Sequence, residues 1–444
     1  MKLNEPPFSE YGAASREPSP VRRMMVAFAA DFRDGIDINL GVGYVNENTI
    51  PRELVVDAMR AVLARPDQYD KALNYGAPQG CRELIDAIRR HRLASEGARL
   101  TAAALEGRQI VIGISGATSL LEAIAGVLAG GIVVTADPMY YIYCNFLERA
   151  GFEILPVPED HDGIRTDLLA EKLSALGGRR REVRFIYVVT VSNPTGTILA
   201  NGRRTELVRI ATDLSRELGT RVPLVLDRAY EELIHDPACQ TPRSGLLDDE
   251  EAIVHEISTV SKTLAPGLRI GYMIGPEGML TRTIVQRISD IGFSAPPINQ
   301  VIAAYILDHH IGEQIEAVNA GYRRKARAVR GWIDELLGDE LEDCTGGRAG
   351  FYFYLTFRDV QTGEGSRLFR YLSRTTGQAE VDGRADALKP RVSYIPGQYC
   401  VHPRGDLVEV GRRQMRLSYA FEDLERIEEA IRLVREAVAY AKGA

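Results

Sequence analysis

With 444 residues the chain is long enough for two domains and a sizeable buried core, and its 45% apolar and 26% charged residues describe an ordinary globular protein. A formal net charge of −7 with no basic run argues against a nucleic-acid partner. Five scattered cysteines (Cys81, Cys144, Cys239, Cys344, Cys400) and seven histidines without an HExxH pattern point to free thiols in a reducing cytoplasm and to no metal site.

The opening residues carry no apolar signal core, and no uncharged apolar stretch approaches about 18 residues, so neither a secretory signal nor a membrane span is expected. Residues 11–48, rich in Gly, Pro and Asn, read as an arm with one short helix after Pro18-Ser-Pro20. Apolar runs at 110–114, 132–135, 183–191, 222–226, 252–257 and 270–274 read as strands, with helical spacing at 119–128 and 207–218 between them. Continuous Val/Ile runs separated by helices indicate a mostly parallel sheet buried on both faces. Ligands bind such sheets at the carboxyl ends of the strands. Beyond it, 312–337 reads as one long helix, 350–357 and 392–396 as shorter strands, and 423–442 as a final helix, the pattern of a smaller α+β domain.

Chemistry-bearing residues fall where those strands end. Gly116-Ala117-Thr118 lies between a strand and a helix, where backbone N–H groups, the Thr118 hydroxyl and the helix N-terminus can receive a phosphate. Tyr140, closing Asp137-Pro-Met-Tyr140, offers a ring that can stack on a flat heterocycle. Asn193, in Ser192-Asn-Pro-Thr-Gly196, can donate an amide hydrogen bond in a direction fixed by the turn. In Leu226-Asp-Arg-Ala-Tyr230 the Asp227 carboxylate can pair with a protonated pyridine nitrogen, and Tyr230 can bond a phenolic oxygen. Lys262 stands in a Ser/Gly/Pro-rich turn with Arg269 seven positions on. Its amine can condense with the aldehyde of pyridoxal phosphate, while Thr259, Ser261 and Arg269 clasp the phosphate.

These motifs, in this order, resemble the fold-type I pyridoxal-phosphate-dependent aminotransferases of class I/II, and within them the kynurenine/2-aminoadipate aminotransferase group. The resemblance covers nearly the whole chain. Pro18-Ser-Pro-Val-Arg22, the segment from Leu40 to Pro51, Asn74-Tyr75-Gly and Met415-Arg-Leu-Ser-Tyr419 match that group's motifs. It implies a mostly parallel seven-stranded sheet in a large domain, with a smaller α+β domain. The expected division is an arm and start of the small domain at 1–50, a large cofactor-binding domain at 51–310 and a small domain at 311–444. It further implies that Lys262 is the Schiff-base lysine, Asp227 the pyridinium partner and Tyr140 the stacking ring. Asn193 and Tyr230 would hold the ring oxygen. Gly116, Ala117, Thr118, Thr259, Ser261 and Arg269 would surround the phosphate, joined by Tyr75 from a neighbouring subunit of a homodimer with shared active sites. Arg416 would take the substrate α-carboxylate, with Gly43, Tyr44, Asn193 and Arg22 lining the substrate site.

The chain departs from the group at Ala117 (usually Ser), Thr118 (usually Gln) and Tyr44 (usually a smaller aliphatic), and Tyr141 and Tyr143 add bulk after Tyr140. The expected activity is transfer of the amino group of an L-amino acid to a 2-oxo acid. Two rivals use the same fold: elimination, replacement or carbon–carbon bond formation, and the effector-sensing module of a transcription regulator. Regulators of that kind carry a basic DNA-binding domain ahead of the cofactor domain, and the arm read here is too short for one.

Overall fold

Eight strands build the central sheet: β1 (Arg108–Ile112), β2 (Ile132–Asp137), β3 (Glu153–Asp160), β4 (Gly163–Ile164), β5 (Val183–Val189), β6 (Leu224–Asp227), β7 (Val254–Thr259) and β8 (Gly271–Pro276). The computed structural model describes residues 5–384 and 387–443. The strands lie in the order β1-β8-β7-β6-β5-β2-β3-β4. Neighbours from β7 to β3 run parallel. Strand β8 is antiparallel to both β1 and β7, and β4 is a two-residue antiparallel edge. The mostly parallel sheet is thus present, with β4 as one short strand beyond the seven expected.

Side-chain alternation explains why this sheet is covered twice. In β5, Val183, Ile186 and Val188 enter one apolar cluster while Phe185 and Tyr187 enter the other. Helices Arg82–Glu96, Thr166–Ala175, Asn201–Leu218 and Pro297–His309 contribute to the first cluster. Gly116–Val127, Tyr141–Arg149 and Met279–Gly292 contribute to the second. A strand that buries both faces favours apolar residues throughout, which is why most of these runs are rich in Val and Ile, while β7 buries His255 and Glu256 within it. Strand β3 breaks that rule with Pro156 and Pro158. Its outer neighbour is only the two-residue β4, so a missing N–H leaves little ladder unpaired.

A second sheet holds β9 (Leu341–Gly346), β10 (Tyr352–Phe357), β11 (Ile395–Pro396) and β12 (Gln414–Ser418), antiparallel in the order β9-β10-β12-β11. Helices Ile311–Leu337 and Leu424–Lys442 cover it through Tyr322, Val329, Ile333, Ile427, Ile431 and Val434. The strand expected at 350–357 starts only at Tyr352, because Gly346, Gly347 and Gly350 take φ of +90°, +79° and +60° in a turn. The strand expected at 392–396 is two pieces serving different partners. Val392–Ser393 pairs in parallel with Ile38–Asn39, and Ile395–Pro396 pairs with β12.

That parallel pair joins the chain's beginning to the second sheet, and the Ser418 N–H donates to the Leu40 carbonyl at 2.8 Å. The arm helix Pro20–Ala29, capped by Ser19, seats Val21 and Met24 against Tyr141, Tyr354 and Ile395. A five-residue helix, Glu10–Ala14, precedes it. Among the described residues, no helix is long and apolar enough to cross a membrane.

Candidate active site

Strands β1, β2, β5, β6 and β7 all end at one edge of the sheet, and most of the expected site residues sit at those ends or in the turns that follow. Ala117, Thr118, Tyr140, Asn193, Asp227, Tyr230, Thr259, Ser261, Lys262 and Arg269 line a single cavity of about 140 Å³. A larger cavity of about 690 Å³ opens at the opposite strand ends, walled by Leu128, Val183, Ile253 and Pro276 among others, and holds none of the expected site residues.

One end of the site is built for an anion. Gly116 starts the helix Gly116–Val127 with φ +71°, and its N–H is taken by the Arg269 carbonyl at 2.8 Å. Gly116 therefore shapes the turn, and Ala117 and Thr118 after it line the cavity. The Arg269 guanidinium is fixed by the Ser115 carbonyl at 3.0 Å and the Pro266 carbonyl at 3.3 Å. A β-carbon at Gly271 would stand 2.1 Å from the Ala117 nitrogen, so only glycine lets β8 pass this close to the helix start. Thr259 donates to the Ile270 carbonyl at 2.6 Å, which leaves Ser261 as donor across the 2.8 Å between their hydroxyls. Thr259 thereby aims Ser261, whose proton a stronger acceptor would recruit.

The other end carries a buried carboxylate. Asp227, the last residue of β6, accepts the Tyr187 hydroxyl at 2.9 Å and the Ala229 N–H at 3.1 Å. Burial lifts its carboxyl to about 6, although both donors pull the other way. Tyr187 went unread in the sequence. It lies inside an apolar strand, and a buried phenol needs a partner, yet naming that partner requires knowing that β5 lies beside β6.

Lys262 sits between these ends. Its Nζ donates to the Gly43 carbonyl at 3.0 Å and lies 5.7 Å from the Tyr230 ring and 5.6 Å from the Phe351 ring. Burial, then the nearby Arg269 and Arg416, lowers its ammonium to about 8. A substantial neutral fraction is therefore present in mildly alkaline solution.

Arg416 is held behind Asn193. Its guanidinium donates to Asn193 Oδ1 at 2.8 Å and to the Gly41 carbonyl at 2.6 Å, and lies over the Tyr352 ring at 4.5 Å. Its Nε is buried with no hydrogen-bond partner among the described residues. A buried guanidinium that meets two carbonyl oxygens and no carboxylate is an incomplete pair, and an incoming carboxylate completes it. Because Arg416 occupies Asn193 Oδ1, the Asn193 amide N–H₂ is left to donate into the cavity. Tyr352, a second residue the sequence reading passed over, also bonds the Tyr230 hydroxyl at 3.1 Å.

Three expected residues stand apart from the cavity. Arg22 is exposed on the arm helix. Tyr44 is 64% exposed, edge-on to Phe421. Tyr75 is 78% exposed beside Phe293.

The turn bearing Asp227 is braced from the far side. Arg228 points away from the cavity to Glu231, Glu256 and Glu96 at 2.5, 2.5 and 3.0 Å. Arg92 bridges Glu96 and Glu256, and Arg204 reaches Glu231. All six of these side chains are buried.

The class I and II aminotransferase family matches residues 36–431. The chain belongs to that family. It is a pyridoxal-phosphate-dependent aminotransferase, and the rival reactions on the same fold are not favoured. Aromatic-amino-acid aminotransferase 1 of Thermococcus litoralis is 25% identical over 405 residues, covering 90% of this chain and 88% of that one. The HTH-type transcriptional regulator YisV of Bacillus subtilis is 25% identical over 414 residues, covering 90% of this chain and 73% of the regulator. A kynurenine aminotransferase of Pyrococcus horikoshii, solved in complex with PMP, shares the fold with a TM-score of 0.81 at 24% identity, covering 98% of this chain and 97% of that one.

The residues fit the cofactor. A helix N-terminus with Arg269 and Ser261 suits a phosphate, Asp227 a protonated ring nitrogen, and the Lys262 amine, its ammonium lowered to about 8, an aldehyde.

Proposed function

We propose that Lys262 carries pyridoxal phosphate and moves the proton of the transamination half-reactions, with Arg416 holding the amino acid. When bound, the cofactor supplies an aldehyde for the amine and a protonated ring that draws electrons from the amine-bearing carbon. Asp227 keeps that ring protonated by offering an ionised oxygen at its nitrogen. Asn193 and Tyr230 donate to the ring oxygen, Tyr140 covers one ring face, and Ala117, Thr118, Thr259, Ser261 and Arg269 receive the phosphate. Arg416 pairs with the α-carboxylate, which orients the Cα–H bond toward Lys262 Nζ. Lys262, with its amine neutral, would take the Cα proton and later give a proton back, acting as base and then acid. Gly43 borders the substrate end of the site, where its carbonyl receives Lys262 Nζ, while Tyr44 and Arg22 stand exposed outside the cavity.

The observation that carries this reading is the convergence of Lys262, Asp227 and Asn193 on one cavity, with the buried Arg416 guanidinium, hydrogen-bonded to carbonyl oxygens and to no carboxylate among the described residues, directly behind Asn193. Borohydride reduction and peptide mapping test it: the pyridoxyl group is expected on Lys262, and finding it on another lysine refutes the assignment. The likeness to YisV makes turnover the second test. A sensing module binds cofactor and amino acid without releasing a 2-oxo acid, whereas the proposed enzyme releases one and consumes another.

The same reading places the arm at 1–50, the large cofactor-binding body at 51–310 and the smaller one at 311–444. The apolar clusters support it, since those flanking the central sheet lie largely between Ala58 and Ile311 and the third lies mostly beyond Val318. A homodimer with shared sites is part of the proposal, supported by the exposure of Leu73 and Tyr75 at 78% each and of Phe293 at 60%. So is a cytoplasmic location, which free thiols at all five cysteines suit.

A further inference from the structure

Tyr352 combines contacts that no role assigned so far uses. It is 1% exposed, at the start of β10, directly opposite Ser418 on β12. The face of its ring carries the Arg416 guanidinium at 4.5 Å, and its hydroxyl lies 3.1 Å from the Tyr230 hydroxyl. A β-carbon at Gly43 would stand 2.6 Å from the same oxygen, so the glycine segment whose carbonyl receives Lys262 closes directly over this hydroxyl. Burial raises both phenols, so the pair holds two protons and no charge.

Two phenols in contact share one hydrogen bond, and only one of them donates in it. With nothing else to bond, either direction serves. An electron-rich oxygen beside Tyr230 decides the matter, because a charged acceptor takes the Tyr230 proton in preference to a neutral phenol. Tyr230 then accepts from Tyr352. We propose that Tyr352 is a positioning residue for the cofactor: its hydroxyl donates to Tyr230 and so fixes Tyr230 as a donor toward the ring oxygen, while its ring independently seats Arg416. This rests on the cofactor roles of Lys262 and Tyr230 proposed above. A chain of two aligned donors also polarises the terminal bond more than one donor alone.

The two functions separate chemically, because phenylalanine keeps the ring over Arg416 and loses only the hydroxyl. The experiment uses the holoenzyme as wild type, Tyr352→Phe, Tyr230→Phe and the double variant. Three quantities are read: the pH midpoint of the bound cofactor's absorbance change, the dissociation constant of pyridoxal phosphate by equilibrium dialysis, and kcat against KM for an amino donor. Tyr352→Phe should weaken pyridoxal phosphate binding about 2- to 10-fold, the range set by one buried neutral hydrogen bond. It should move the absorbance midpoint in the same direction as Tyr230→Phe, but less far. The double variant should match Tyr230→Phe alone, since the relay acts only through that residue. KM should stay within about twofold because the cation–π contact survives, while kcat falls. An unmoved midpoint with unmoved binding overturns the relay. So does a double variant in which the two effects add, or a KM that rises while the midpoint stays. If borohydride places no pyridoxyl group on Lys262 of the wild type, the underlying cofactor reading fails instead, so the two failures are told apart.

Discussion

Asp227 is costly to fold around, and that cost can be measured. It is 5% exposed, and its two partners, the Tyr187 hydroxyl and the Ala229 N–H, are neutral donors rather than cations. Burial lifts its carboxyl from the ordinary 3.8 to about 6. The folded state therefore keeps a proton over a pH range in which the unfolded chain has lost it. Its contribution to stability is fully present below the unfolded value and is lost as pH rises through about 6. Two pK units correspond to about 3 kcal/mol of destabilisation at pH 8 and about 1.6 kcal/mol at pH 5. Asp227→Asn removes this penalty and can keep both contacts, the amide oxygen accepting from Ala229 and the amide N–H₂ donating to Tyr187. The cofactor-free Asn variant should therefore be more stable than wild type by about 2–3 kcal/mol at pH 8, and by roughly half that at pH 5. Urea denaturation followed by far-UV circular dichroism at the two pH values measures both gains. The same substitution should lower turnover by several orders of magnitude, each tenfold being about 1.4 kcal/mol of barrier. A variant less stable than wild type at pH 8, or one whose gain ignores pH, refutes burial as the dominant effect on this carboxylate.

Arg416→Ala should cost roughly 30- to 1000-fold in kcat/KM for amino acids, the worth of a charge-assisted bidentate pair of about 2–4 kcal/mol. Arg416→Lys should recover only part, because an ammonium lacks the planar fork; steady-state kinetics on both variants decides. Cofactor capture by Lys262 should accelerate as pH rises through about 8, where its ammonium loses its proton, and stopped-flow absorbance at a series of pH values reads the midpoint. Gly271→Ala should drive a methyl group into the Ala117 nitrogen and abolish tight pyridoxal phosphate binding by displacing the helix start, which equilibrium dialysis reports.

The reach of the sequence follows from what each motif depends on. Asn193 and Asp227 are legible because they stand just after or at the end of apolar strands, and Lys262 because its Ser/Gly/Pro-rich turn follows another strand; parallel sheets collect such ends at one edge. The long helix was equally plain: no proline interrupts Ile311–Leu337. Strand β3 was hidden because Pro156 and Pro158 deny it the usual signature, and only its place near the sheet's edge makes them tolerable. Tyr187 and Tyr352 were hidden for another reason. Their partners, Asp227 and Tyr230, are 40 and 122 residues away, and only strand order or packing brings them together. Gly116 shows the converse: its place in the strand-to-helix turn was legible, but the loss of its N–H to the Arg269 carbonyl was not.

The ion network behind the Asp227 turn bears on how this chain can change over generations. Arg92, Arg204, Arg228, Glu96, Glu231 and Glu256 share partners, and all six side chains are buried. Deleting any one of them strands a buried charge at about 3–5 kcal/mol, a large part of what holds a typical domain together. Replacing several at once by apolar residues of similar volume can be neutral. Single-step mutational paths through these positions are therefore closed although their end points are open. Their identities should persist through drift even where the chemistry in front of them is retuned, and variation there should come as linked substitutions spread over the four segments that supply the charges.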